Sequence, residues 1–432
     1  MTLHYALTCP VCGWQGADDG LALGCPRSHA PGLLQTSYTR REFTPRPQTD
    51  GMFRYQDWLP VRRTVPDAGS AVVYPATRLG AALGLPDLWV SFSGYWPERG
   101  ARLETATFKE LEAYCVLGRL PEDPPTLVVA SVGNTAAAFA RLCSRYALPC
   151  VIVVPETGVE RLEFTEPLAP CVRLLALEGA DYAETIAYAD ALALRMGGQV
   201  EGGTRNVARR AGLGTVWLSA VEAMPRPADV YVQAVGSAAG AIAVHEAAAR
   251  LVRAGASECP PRLMLCQNAE YAPLYDAWCA ERDDAVPDAG ERPEEAAERC
   301  LADELTNARP PYAVAGGVRD CLTGSHGRML LAGREDALAA GALFAEVEGV
   351  DIEPASAVAL AGLRRAAQDR TITPDESVLL NITGGGRGHM RRRLQPTRAA
   401  HIHRVRRAER SSDSFSRDLL HHCEAAQAPT RA

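Results

Sequence analysis

A rhythm of short apolar runs, each ended by a small-residue turn and followed by a helical stretch, constrains this chain most. "TLVVAS" (126–131) leads into "GNTAAAFARLCSRYA", and "ADVYVQAVGSAAGAIAVHEAAARLV" reads as strand, glycine turn and helix. "LWVSFSG" (88–94), "CVIVVP" (150–155), "RLMLCQ" and "SVLLNITGGG" supply further strands, and "DYAETIAYADALALRMG" another helix. Such alternation implies βαβ units, hence an α/β protein with mostly parallel sheets and helices on both faces. "TFKELEAYCVLGRL" has helical spacing, with Phe108, Leu111, Tyr114, Cys115 and Leu117 available to one face and Lys109 at or near the helix start.

Length and pattern suggest four regions. Residues 1–45 form a small Cys-bearing head, 46–120 plus 220–390 a large domain, and 121–219 a small α/β domain. The Arg- and His-rich stretch 391–432 reads as a weakly ordered basic tail, and the charged segment 281–310 as a surface excursion. The net charge of −7, with both signs mixed, gives no footprint for nucleic acid. No apolar run reaches roughly 18 residues, and the N-terminus lacks a signal-peptide pattern, so a cytoplasmic protein with no membrane partner is expected. In that compartment the scattered cysteines should be reduced.

Lys109 is the only lysine; every other member of the Lys+Arg total of 45 is arginine. A solvated charge tolerates exchange to Arg. An amine that must lose a proton, or form a Schiff base with a carbonyl or pyridoxal phosphate (PLP), does not. Three glycine turns follow strands: "ASVGNTAAA" (130–138), "AVGSAAGAIA" (234–243) and "NITGGGRG" (381–388). Glycine lets backbone amides crowd around an anion, and a helix N-terminus adds a favourable dipole. A lone imine-forming amine and phosphate-binding turns together make a coherent PLP site.

On these residues the chain resembles the fold-type II PLP enzymes (tryptophan synthase β-like) of the threonine synthase group, and within it the cysteate synthase family. The likeness runs from about residue 5 to 386, through "MFRYQDWLPV", "SFSGYWPERGA", "FKELEA", "ASVGNTAAAFA", "VEGGTRNVARRAGLGTV", "YVQAVGS", "APLYDAW", "RPPYAVAGGVRD" and "LLNITGGG". The resemblance implies two doubly wound domains and a homo-oligomer. Lys109 would hold PLP, Asn134 would bond the ring 3′-oxygen, and Thr383 the pyridine nitrogen. Gly236, Ser237, Ala238, Ala239 and Gly240 would hold the phosphate. Ala238 and Ala239 depart from the pattern, because two added methyl groups disfavour positive φ.

The implied reaction replaces the phosphate of O-phospho-L-serine by sulfite, giving L-cysteate, a step of amino-acid biosynthesis in sulfonate or coenzyme M metabolism. Lys109 would serve as anchor, base and acid. Both substrates are anions, so fixed donors are needed, and "EGGTRNVARR" offers Arg205, Asn206, Arg209 and Arg210. Arg99 and Trp96 in "GYWPER" would form another wall, and Ser131 and Thr135 would bind the amino-acid carboxylate. In the head, Cys9, Cys12, Cys25 and His29 have the composition of a zinc-ribbon-like structural site. Other readings share the lysine and the turns: threonine synthase acting on O-phosphohomoserine, another phosphoserine β-replacement, or a catalytically silent PLP-fold protein that binds a partner.

Overall fold

The computed structural model describes residues 3–131, 133–285 and 293–410. The chain forms two compact units, residues 1–119 with 204–390, and 120–203 with the chain from 391 onward.

The larger unit is built on a six-stranded sheet. Its spatial order is Arg328–Ala332, Arg262–Asn268, Val230–Ala234, Val378–Ile382, Leu88–Phe92, Val72–Pro75. All neighbours are parallel except the edge strand Val72–Pro75. Helices cover both faces, so the central strands read as near-continuous apolar runs. On one face Val90, Phe92, Val230, Val232, Val378, Leu380 and Ile382 pack with Val358 and Leu363 of helix Pro354–Gln368. Each such fully buried side chain contributes about 1.5–3 kcal/mol. The opposite face carries Tyr231, whose ring meets Trp217 edge-on at 6.2 Å.

Lysine 109 opens the helix Lys109–Arg119, as its spacing predicts. Burial is wider than the one face expected: every residue from Glu110 to Arg119 is buried. Its charged side chains must therefore find partners inside the protein. The head is a three-stranded antiparallel sheet in the order Gln15–Gly16, Tyr5–Thr8, Gln35–Tyr38. Tyr5, Leu7, Cys9 and Leu34 pack on Val207.

Residues 204–219, grouped with the small domain in the sequence reading, lie in the larger unit. The reason is helix Val207–Ala223, which is buried along most of its length. The segment 281–310 is less peripheral than expected: Ala302 and Leu305 are buried, while residues 286–292 lie outside the described residues.

The smaller unit has a five-stranded parallel sheet, in the order Gln199–Val200, Leu127–Ala130, Cys150–Pro155, Val172–Leu177, His403–Val405. Helix Tyr182–Met196 buries Tyr188, Leu192 and Met196 against it. A capping box starts this helix: Asp181 accepts from the Glu184 amide at 2.6 Å and Glu184 accepts from the Asp181 amide at 3.2 Å. The first part of the expected weakly ordered tail is structured, since it supplies the edge strand His403–Val405 and pairs Thr397–Arg398 with Glu163–Phe164. Residues 411–432 lie outside the described residues. Among the described residues no helix is long and apolar enough to cross a membrane.

Candidate cofactor site

Lys109 is placed by a short piece of extended backbone. The Phe108 amide donates to the Thr383 carbonyl at 2.8 Å, and the Gly385 amide to the Ala106 carbonyl at 3.0 Å. Thr107 and Gly384 form an isolated bridge between these bonds. The segment before the lysine is thus stitched to the glycine turn that follows strand Val378–Ile382. Lys109 Nζ lies 3.4 Å from Glu112 Oε2, one helical turn on, and 4.9 Å from the centre of the Phe108 ring. Its side chain keeps 20% exposure, whereas Glu112 keeps none. The other oxygen of Glu112 is 3.0 Å from Arg209 Nη2. One buried carboxylate therefore faces two cations.

Strand Val230–Ala234 ends at the second turn, and helix Ala239–Arg253 begins there. Ala238 sits in the left-handed region at φ 56°, ψ 16°, and no side chain caps the helix. The methyl groups of "GSAAG" therefore do not prevent positive φ; Ala238 adopts it, at a cost of about 1–2 kcal/mol for an L-residue. An uncapped N-terminus leaves the first amides of the helix available to an anion. Gly240 is required for a different reason. A Cβ there would fall 2.8 Å from Gln233 Nε2 and 3.1 Å from Phe108. The same contact brings the helix start against the residue preceding Lys109. Gln233 is held from below, where it accepts from Tyr231 at 2.6 Å and from Asn381 at 3.1 Å.

Thr383 follows the strand end and is 7% exposed. Its hydroxyl is 3.4 Å from Ser356 Oγ, which donates to the Gly384 carbonyl at 3.0 Å and accepts from the Gly384 amide at 3.2 Å. Just after the neighbouring strand Leu88–Phe92, Ser93 is fully buried, and its hydroxyl has no hydrogen-bond partner among the described residues. Its amide donates to Ile382, which sets it beside Thr383. A partly exposed lysine amine, an uncapped helix start, a threonine hydroxyl and an unpaired buried serine are donors and acceptors that fit PLP.

Close by, the Glu304 carboxyl is raised to about 8, first by burial and then by the charge of Glu353. Glu304 accepts from the Ala355 amide at 3.2 Å, and Glu353 pairs with Arg387.

In the smaller unit, Asn134 is the first residue of helix Asn134–Arg145, which no side chain caps. Ser131, at the end of strand Leu127–Ala130, accepts from the Gly133 amide at 3.2 Å, so its hydroxyl already shapes this loop. Thr135 is buried in the first turn of the same helix.

The larger unit thus brings together Lys109, the Gly236–Gly240 turn and Thr383. The basic run 205–210 separates instead of acting as a row. Arg205 is exposed. Asn206, read as a substrate contact, is buried; its oxygen caps helix Val207–Ala223 through the Ala208 amide at 3.0 Å and accepts from Arg119 at 3.0 Å. Arg209, read likewise, is paired with Glu112. Arg210 is fully buried between Glu246 and the carbonyls of Thr204 and Leu34. Arg99 stacks on Tyr74 and Trp96 at 4.2 and 4.7 Å, a packing arrangement. The residues that sequence reasoning missed are Glu112, Gln233 and Ser356. Only Glu112 had a signal, a carboxylate three residues after the lone lysine.

Fold and site together define a PLP-dependent enzyme of the fold-type II kind. The chain belongs to the pyridoxal-phosphate dependent enzyme family, whose model matches residues 73–384. Among curated proteins it is 46% identical over 392 residues to a cysteate synthase of Methanosphaerula palustris, covering 89% of this chain and 91% of that one. It is 42% identical to the cysteate synthase of Methanospirillum hungatei, covering 90% and 92%. Among solved structures, maize serine racemase aligns with a TM-score of 0.57 at 17% identity, over 73% of this chain and 89% of that one. Threonine deaminase isoform 2 of Solanum lycopersicum aligns with a TM-score of 0.56 at 16% identity, over 83% and 94%. These two share the fold.

Proposed function

We propose that the chain catalyses a PLP-dependent β-replacement: O-phospho-L-serine and sulfite give L-cysteate and phosphate. The observation that carries the reading is the extended likeness to cysteate synthases, over about nine-tenths of both chains. The stitching of Lys109 to the Thr383 turn supports it.

Bound PLP supplies an electron sink for the pair left when Cα loses its proton. The chain supplies position and proton transfer. Lys109 would hold the cofactor, and its amine would take the Cα proton of the substrate and later return it. Phosphate leaves Cβ with the C–O electron pair, and sulfite forms the C–S bond at the same carbon with its own pair. Glu112 orients the Lys109 amine, and Arg209 holds Glu112 in place from its other oxygen. Backbone amides from Gly236 to Gly240 would hold the cofactor phosphate. Thr383, whose hydroxyl lies 3.4 Å from Ser356 Oγ, would offer a neutral hydroxyl to the pyridine nitrogen. By the family resemblance, Asn134 would take the ring oxygen, and Ser131 and Thr135 the substrate carboxylate. Arg205 is the side chain of the basic run left to meet the leaving phosphate or sulfite.

Mass spectrometry of a reaction containing O-phosphoserine and O-phosphohomoserine, with and without sulfite, tests the reading. Sulfite-dependent cysteate should dominate. Threonine as the main product, or phosphate release that never yields cysteate, would refute it.

A further inference from the structure

The reaction makes no use of the four soft side chains in the head. Their ligand atoms, the sulfurs of Cys9, Cys12 and Cys25 and a ring nitrogen of His29, all lie within 4.8 Å of one another. Cys9 and Cys12 share a tight turn, closed by Gly13 N to Cys9 O at 3.0 Å and Cys9 N to Trp14 O at 2.8 Å. A tetrahedral zinc with Zn–S about 2.3 Å and Zn–N about 2.05 Å has S···S edges of about 3.8 Å and S···N edges of about 3.6 Å. Cys12 and Cys25 are 3.7 Å apart and Cys9 and His29 Nε2 3.3 Å. All three cysteines are free thiols.

Two details prepare these groups for a cation. His29 Nδ1 donates to the Ala30 carbonyl at 2.6 Å, which leaves Nε2, 3.3 Å from Cys9 Sγ, as the nitrogen that faces the cluster. Metal-bound histidines are oriented by such an outer hydrogen bond. Backbone amides point at sulfur two residues back in both halves of the site: Arg27 N to Cys25 Sγ at 3.5 Å, and Trp14 N to Cys12. Three sulfurs and one imidazole select zinc over the hard cations magnesium and calcium.

The loop between Cys12 and Cys25 has a second role. Asp18 lies on it and grips Arg119, the last residue of the lysine helix, through Nε at 2.8 Å and Nη2 at 2.7 Å. Ala22 adds its carbonyl to Arg119 Nη2 at 2.8 Å, and Gly20 N braces Asp18 at 3.0 Å. Every head atom that holds Arg119 directly thus lies on a loop whose two ends the cysteines bring together.

We propose that Cys9, Cys12, Cys25 and His29 bind one zinc ion, and that this metal holds the head as a clamp on the far end of the helix that begins at Lys109. Four protein ligands close the coordination sphere, so the site is structural. The proposal stands apart from the reaction assigned above.

The test uses the full-length protein with its cofactor. Elemental analysis should find about one zinc per chain, and Cys12→Ser and Cys25→Ser should lower it at least tenfold. Because these variants are at risk of misfolding, a mercurial titration of the wild type provides a second route. Zinc should leave in step with thiol modification, and amide exchange in residues 109–119 should rise as it leaves. Less than about a tenth of a zinc per chain, or iron in its place, would overturn the site. Zinc release with unchanged exchange in 109–119 would overturn the clamp.

Discussion

The two ends of helix Lys109–Arg119 are built on opposite electrostatic logic. At its C-terminal end Arg119 carries a positive charge where the helix dipole favours one. Asp18 meets it with two oxygens and receives further bonds from Tyr5 at 2.7 Å and Gly20 at 3.0 Å. Burial alone would raise the Asp18 carboxyl; the Arg119 hydrogen bonds and charge outweigh it and hold that carboxyl below its usual range. At the N-terminal end Lys109 places a cation where the dipole opposes one. Its carboxylate, Glu112, is shared with Arg209 and approaches only to 3.4 Å. The first arrangement suits a fixed joint. The second suits an amine that must bind, release and move a proton. Charge set against the dipole and partly exposed marks the reactive end.

The largest effect should come from Lys109→Arg. The charge survives and the amine chemistry does not, so turnover should fall by on the order of 10⁴-fold with little change in melting temperature. Turnover within tenfold of wild type would erase the distinction between the ends. At the other end, Asp18→Ala leaves the Arg119 guanidinium buried without its carboxylate, a loss of about 3–5 kcal/mol in denaturant unfolding. An unchanged unfolding midpoint would show that the joint carries no load. Glu112→Gln should be milder, lowering kcat about tenfold to a hundredfold while the cofactor stays bound, because a charge-assisted contact contributes about 1.5–3 kcal/mol. A change confined to stability would reduce Glu112 to a packing role.

The smallest expected effect concerns pH. Glu304 is raised from 4.5 to about 8 and faces Glu353, Asp303 and, through Glu353, Arg387. The folded protein therefore holds a proton that the unfolded chain releases. Its stabilisation is complete below about pH 4.5 and declines as pH rises to about 8, beyond which it is lost. Glu304→Gln should flatten the decline of melting temperature over that window; an identical slope would show that Glu304 does not titrate there.

Local signals explain what was legible in the sequence. The strands around Val230–Ala234 and Val378–Ile382 are continuous apolar runs, and a lone lysine among arginines needs no partner to be noticed. The Asp18–Arg119 joint was not legible, because its members are 101 residues apart and each looks like an ordinary surface charge. The same limit made 205–210 look like one basic row. Charge type shows in sequence, but burial and partner do not, and Glu112, Glu246 and Arg119 divide that row among structural tasks. At Ala238 a general preference against positive φ yielded to the surrounding packing.

The claim that one amine at one helix end does the chemistry is open to direct reading. Borohydride reduction of the protein with its cofactor bound would fix the cofactor to its lysine, and trypsin does not cut at a modified lysine. The account predicts that the label appears on the uncut peptide Leu103–Arg119. Unlabelled Leu103–Lys109 and Glu110–Arg119 peptides, recovered in full from protein that contained the cofactor, would contradict it.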